Sequence, residues 1–326
     1  MQRDHGGNLD WAQAHWGGDD WIDLSTGINR RPWVPGVLST EAFRALPTGT
    51  AESRLISVAA EWFGCPADMV LPMAGASAPI QALPRILTPG HAAVLAPSYN
   101  EHAASLKAAG WRVTDAPTLA RMEGADLAVV VNPNNPDGRE FPPATLRALA
   151  ARTGRLIVDE SFADPRPDLS LAHDLPANAV VLRSFGKFWG LAGLRLGFVI
   201  AAPALLARLR EFSGPWSVSG PALEIATLAM ADREWAADTV TYHAEAANRL
   251  DMLAMGAGWS VAGGTHLFRL FDTPDAAAAQ NALARHRIWS RRFPYSDRWL
   301  RLGLPGTRAE WDRVATALAA IRGVAP

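Results

Sequence analysis

The stretch Ser184-Phe185-Gly186-Lys187-Phe188-Trp189-Gly190-Leu191-Ala192-Gly193-Leu194-Arg195-Leu196-Gly197 sets a lysine in a glycine-rich turn directly after an apolar run, Val180 to Leu182. The run predicts a buried strand, so Lys187 stands at a strand end among glycines and apolar side chains. Desolvation and neighbouring cations lower a lysine pKa and expose the free amine that Schiff-base chemistry needs. An ordinary surface lysine is the plainer alternative. Lysine is scarce, however: Lys107 is the only other one, the remaining cationic side chains being arginines. That scarcity favours function.

Outward from this turn, Ala92 to Ala96, Asp126 to Val131, Arg155 to Val158, Ala179 to Leu182 and Leu196 to Ile200 are apolar runs with little alternation. Such runs predict strands buried on both faces. Ala51 to Gly64, Glu101 to Gly110 and Pro143 to Arg152 predict helices among them, and strands separated by helices make a largely parallel sheet. Ligands of such sheets sit beyond the carboxyl ends of the strands. After a helix at Pro203 to Phe212, Pro221 to Met255 reads as a long helical stretch, one helix or two. Then come a strand (Thr265 to Phe271), a helix (Pro274 to His286), a strand near Trp299 to Leu302 and a helix from Ala309 to Ile321, the pattern of a smaller α+β domain.

Three further motifs stand at these ends. Arg155-Leu156-Ile157-Val158-Asp159-Glu160-Ser161 places acids after a buried strand. Asp159 there could hold a protonated heterocyclic nitrogen, cap a helix or ligate a metal. Val131-Asn132-Pro133-Asn134-Asn135-Pro136-Asp137-Gly138 reads as a rigid turn, or as a loop whose Asn135 donates to a ligand. Met73-Ala74-Gly75-Ala76-Ser77-Ala78 precedes a short helix; backbone N–H groups and a serine at a helix start bind phosphate, although many helices begin this way.

The chain has 326 residues, enough for two domains; 49% are hydrophobic and 19% charged, with a formal net charge of −1. No basic excess points to nucleic acid and no basic helix to a membrane surface. Cys65, the single cysteine, excludes an intrachain disulfide and fits a reducing compartment. The N-terminus lacks a signal-peptide stretch and the apolar runs are too short to span a bilayer, so a cytoplasmic location is expected. Thirteen tryptophans are unusual and are read as packing residues.

In order and spacing, the four motifs resemble those of fold-type I pyridoxal-phosphate enzymes of the class I/II aminotransferase branch, over nearly the whole chain. Lys187 followed eight residues later by Arg195 is the most diagnostic pair. The resemblance implies an α/β fold with a large domain on a mostly parallel sheet (41–215), a linking helix and small C-terminal domain (216–326), and an N-terminal segment (1–40) joining the small domain and the substrate site. It implies pyridoxal 5'-phosphate as cofactor, a homodimer, and no metal. Lys187 matches the lysine that carries the cofactor and moves protons. Asp159 matches the acid that keeps the pyridine nitrogen protonated, Asn135 the partner of the ring hydroxyl, and Tyr99 the ring that stacks on the cofactor. Gly75, Ala76, Ser77, Ser184 and Arg195 match the phosphate cup. Arg301 matches the clamp on the substrate carboxylate.

Two positions depart from that pattern. Phe162 stands where the family has a tyrosine, which removes one hydrogen bond of about 0.5–1.5 kcal/mol. Leu46-Pro47 stands where a Tyr-Pro pair is usual. His5-Gly6-Gly7-Asn8, Asp23-Leu24-Ser25-Thr26-Gly27-Ile28-Asn29, Phe162 and Arg301-Leu302-Gly303-Leu304-Pro305-Gly306 resemble the cobalamin-pathway threonine-phosphate decarboxylases instead. That resemblance implies decarboxylation of L-threonine O-3-phosphate to (R)-1-amino-2-propanol O-2-phosphate. It implies a substrate site with His5, Gly6, Asn8, Gly27, Asn29, Asn135 and Arg301; a terminal residue without a role is the alternative for His5. The rival readings are a histidinol-phosphate-type aminotransferase and a non-catalytic protein that keeps the fold.

Overall fold

The structure, a computed structural model, describes residues 5–322. The first four residues of the expected N-terminal segment and the last four of the C-terminal domain lie outside them. The chain forms two compact units. One combines the residues up to Pro32, Pro136–Gly138 and the chain from Ala236 onward; the other is Trp33–Asn135 with Arg139–Trp235.

The larger unit is built on a seven-stranded sheet in the order Val70–Met73, Gly197–Ala201, Ala179–Ser184, Leu156–Asp159, Leu127–Val131, His91–Leu95, Arg112–Ala116. The last five pair in parallel, and Gly197–Ala201 runs antiparallel to both its neighbours. Strands Leu127–Val131 and Leu156–Asp159 are buried along their whole length, as continuous apolar runs require. The reversed strand has a local cause. Ser184 is the register partner of Gly197, and the connection between them holds only a helical turn, Phe185–Phe188, and one 3-10 turn, Ala192–Leu194. A parallel crossover is usually carried by a full helix, which this connection lacks. Helix Gly49–Phe63 starts where Thr48 accepts from Ala51 N and stops at Gly64, whose φ of 62° is left-handed.

The smaller unit holds a four-stranded antiparallel sheet, Arg291–Phe293, Ser296–Gly303, Phe268–Asp272 and Ser260–Gly264, and a parallel pair, Ile22–Asp23 with Ile288–Trp289. The core of this unit joins Leu24, Leu250, Phe271, Leu283, Leu300 and Trp311. Each such side chain contributes about 1.5–3 kcal/mol on full burial.

The units divide near 32/33 and 235/236, where the sequence suggested 40/41 and 215/216. Residues 33–40 stay with the larger unit because Trp33 N donates to Trp189 O at 3.0 Å, Trp33 Nε1 to Asp232 at 3.0 Å and Ser39 N to Glu224 at 2.8 Å. Among the described residues no helix is long and apolar enough to cross a membrane.

Candidate active site

The predicted residues fall into two groups, one in each unit. In the larger unit a cavity of about 130 Å³ lies beyond the carboxyl ends of the parallel strands. Gly75, Ala76, Ser77, Tyr99, Asn135, Asp159, Ser184, Lys187 and Arg195 all line it, together with Ser161 and Phe162. Every residue that the sequence assigned to the cofactor is therefore in one place.

Asp159 ends its strand and is only 2% exposed. Burial alone would raise its pKa. The hydrogen bond and charge of His102, with the hydroxyl and N–H of Ser161, outweigh burial and hold the carboxyl below its ordinary value. His102 Nε2 stands 2.8 Å from Oδ2, while Ser161 donates to Oδ1 through N at 3.0 Å and Oγ at 2.5 Å. An ionised carboxylate thus faces the cavity. Helix Asn100–Ala108 places His102 one turn after Tyr99, and the two rings meet edge to face at 6.0 Å.

Opposite in charge is the turn before helix Ser77–Ile86. Gly75 has φ 77°, and a Cβ on it would stand 2.9 Å from Nη2 of Arg195. A side chain here would be strained by the left-handed backbone and would push the guanidinium aside. Arg195 itself takes a left-handed φ of 53° and anchors through Nη1 to Ala192 O at 3.0 Å. A guanidinium, the hydroxyl-bearing Ser77 and Ser184 and the N-terminus of a ten-residue helix make a dianion cradle.

Lys187 and Phe162 line the same cavity. Lys187 Nζ is 5.6 Å from the centroid of the buried Phe162 ring. Phe185, Trp189 and Trp235 stack in parallel on the turn that carries the lysine, at 5.5 and 5.2 Å, and Trp62 tilts against Trp189 at 5.2 Å. Aromatic pairs of this kind contribute about 0.5–1.5 kcal/mol each beyond their buried area. Asn135 is carried by a braced loop: Asn134 Nδ2 donates to Pro97 O at 3.0 Å, and Asn132 exchanges bonds with Phe141 at 3.0 and 2.8 Å.

Of the substrate candidates, Asn135 lies in the larger unit, and in the smaller unit Arg301 and Gly6 pack on Ser25. Arg301 is 6% exposed and its Nη2 donates to Ser25 O at 2.7 Å. Gly7 N donates to Ser25 Oγ at 2.7 Å, and a Cβ on Gly6 would stand 2.5 Å from Ser25 O. Asn8 Oδ1 caps helix Leu9–Trp16 by accepting from Trp11 N at 3.2 Å, and Asn29 Oδ1 closes its own turn onto Arg31 N at 2.8 Å. Gly27 is buried and His5 exposed. Burial, then the neighbouring Arg291, push the Arg301 pKa down to about 10. Arg291 is the register partner of Arg301 across the hairpin. The pairing sets the two arginines on the same face of the hairpin.

His102, Ser161 and Arg291 carried no assignment in the sequence. A signal existed for His102: a histidine in the first turn of a helix that opens at Tyr99. Arg291 had none, because its pairing depends on the hairpin register.

Over residues 20–318 the chain matches the family "Aminotransferase class I and II". The threonine-phosphate decarboxylase of Sinorhizobium sp is 43% identical over 330 residues, covering 97% of each chain. Its counterpart from Pseudomonas aeruginosa is 42% identical over 328 residues, again 97% of each. The histidinol-phosphate aminotransferase of Sinorhizobium meliloti, in complex with pyridoxal-5'-phosphate, shares the fold, with a TM-score of 0.80 at 18% identity over 96% of this chain and 94% of that one.

Proposed function

Because the chain belongs to the aminotransferase class I and II family, we propose that it is a pyridoxal-phosphate-dependent decarboxylase acting on L-threonine O-3-phosphate. The observation that carries the reading is the match to threonine-phosphate decarboxylases along 97% of the chain. In this reading the product is (R)-1-amino-2-propanol O-2-phosphate, and the enzyme serves cobalamin biosynthesis in the cytoplasm.

The residues present fit the cofactor: a dianion cradle, an ionised carboxylate and a lysine line the same cavity. Arg195, Ser77, Ser184 and the 75–77 backbone would hold its phosphate, Asp159 its ring nitrogen, Asn135 its hydroxyl and Tyr99 a ring face. When bound, the cofactor supplies an electron sink for the bond broken at the substrate Cα. Asp159 would keep the ring nitrogen protonated. Lys187 would hold the cofactor and would return a proton to the substrate Cα. Phe162 brings a ring face where a tyrosine would bring a donor. Arg301 holds the carboxylate, and Arg291 supplies a second guanidinium for the other anionic group. Binding energy from these anion contacts, remote from the bond that breaks, can orient the carboxylate for departure.

The enzyme is a homodimer in this reading. Val34, Val37, Phe43, Leu46, Phe212, Trp216 and Leu228 are large apolar side chains exposed on the larger unit. Pro47 and Trp216 share an open cleft of about 680 Å³ that carries none of the cofactor residues. These side chains are the candidate surface for that interface. Sedimentation at assay concentration tests this: a fully active monomer contradicts it.

The activity is tested with purified protein, threonine phosphate and, in a parallel reaction, histidinol phosphate with 2-oxoglutarate. Turnover of the first without amino transfer to the oxo acid is expected. Amino transfer as the main reaction would overturn the reading.

A further inference from the structure

The larger unit buries a charged cluster for which the assignments above have no use. Arg183, 4% exposed, sits one residue before Ser184 on its strand. Its Nη1 donates to Glu160 Oε2 at 2.9 Å and its Nη2 to Asp164 Oδ1 at 2.5 Å, and the guanidinium lies 4.8 Å from the centroid of the Phe63 ring. Glu160 is fully buried and also accepts from Ser170 Oγ at 2.6 Å and Leu171 N at 2.7 Å. Asp164 also accepts from Trp62 Nε1 at 3.0 Å.

The two acids bracket a short stretch of chain. Between them lie Ser161, which supplies two of the hydrogen bonds on Asp159, and Phe162, which lines the cavity. One rigid guanidinium fork therefore fixes both ends of the turn that follows Asp159. It fixes them to the strand whose end opens the Lys187 turn. Stability alone gives little reason to bury such a cluster, since well-packed apolar side chains of the same volume serve as well or better. Geometry gives a reason: the guanidinium presents its donors in a fixed plane, whereas a lysine is a flexible point charge.

We propose that Arg183, Glu160 and Asp164 are positioning residues that lock the 160–164 turn and, through Ser161, fix the Asp159 carboxylate that holds the cofactor ring. The proposal rests on the reading of Asp159 as the partner of that ring.

Two variants test it. Arg183→Lys keeps the charge and loses the fork. The triple variant Glu160→Gln, Arg183→Met, Asp164→Asn removes the ionic network whole, leaving no single buried charge of the cluster without its partners. For each, thermal unfolding is followed on the apoprotein, together with the NMR signals of the His102 ring, which contacts Asp159 directly. Titration with pyridoxal phosphate then gives its Kd, with Asp159→Asn as reference. The triple variant should fold with an unfolding midpoint near that of the parent. In both variants the His102 signals should move and the cofactor Kd should rise about tenfold or more. The proposal is overturned if either variant binds the cofactor within about twofold of the parent with unmoved His102 signals. It is equally overturned if the triple variant cannot fold, because the cluster would then be a stability element. Parental affinity in Asp159→Asn would instead refute the reading of Asp159, leaving the His102 signals to judge the cluster.

Discussion

Replacing His102 by leucine tests how the structure keeps Asp159 charged. The imidazole is 2.8 Å from Oδ2 and the carboxylate is 2% exposed, so water cannot take its place without rearrangement. A hydrogen bond to a charged group contributes about 1.5–3 kcal/mol. Burial opposes ionisation of Asp159, and His102 is the largest influence working against it. In His102→Leu, Ser161 alone opposes burial, so the carboxyl pKa rises. Loss of about 1.5–3 kcal/mol corresponds to roughly ten- to hundredfold weaker cofactor binding near neutral pH. The sign in pH follows from linkage. A carboxyl held low in the folded state contributes stability above its unfolded value of about 3.9, and that contribution is lost as pH falls through the folded value. The stability difference between parent and variant should therefore be full near neutrality and shrink in acid. The acid limb of kcat/KM should move to higher pH in the variant. Cofactor titration and thermal unfolding across pH give both quantities. Parental affinity and an unmoved acid limb in His102→Leu would refute the reasoning; His102→Gln, which can still donate, should recover part of the loss.

Lys187→Ala should abolish turnover and the visible absorbance of the bound cofactor while the unfolding midpoint stays near that of the parent; near-parental turnover would refute its role. Gly75→Ala places a Cβ 2.9 Å from Nη2 of Arg195 at a left-handed φ of 77°, so equilibrium titration should show weaker cofactor binding. Arg301→Gln removes a buried guanidinium and should raise KM for threonine phosphate by about ten- to hundredfold, for a charge-assisted bond of about 1.5–3 kcal/mol. Removing residues 1–8 takes away the substrate candidates His5, Gly6 and Asn8; if they add to Arg291 in holding the substrate phosphate, that KM should rise by about tenfold or more with hardly any change in a slow reaction of unphosphorylated threonine, and equal losses on both substrates would refute that role.

The cofactor residues were legible because each stands at the end of an apolar run, or in a glycine turn, that a parallel sheet turns into a strand end. Asp159, Asn135 and Lys187 are far apart in sequence, yet their strands end on the same side of the sheet. Two edge strands, one in each unit, were hidden for the converse reason. Strand Arg112–Ala116 is mostly exposed and polar, and Ser260–Gly264 in the smaller unit is exposed and glycine-rich, so neither leaves an apolar run. Pro221 to Met255 read as one helix or two and forms two, broken at Asp232, whose carboxylate accepts from Trp33 Nε1 and Trp235 N. Asp232 caps the second helix through Trp235 N, a local start signal in the sequence, and its bond to Trp33 adds a partner about two hundred residues away in the chain. The tryptophans were read as packing residues, and Trp62, Trp189 and Trp235 do pack, around the turn that carries Lys187.

The central claim is tested most directly by following the carboxyl carbon. Threonine phosphate labelled in its carboxyl group is incubated with the purified, pyridoxal-phosphate-loaded protein, and labelled carbon dioxide and aminopropanol phosphate are measured together. The account predicts that the two appear in equal amounts, and that Lys187→Ala yields neither. Consumption of the substrate with the label retained in a keto acid, or no consumption by the loaded protein, would contradict it.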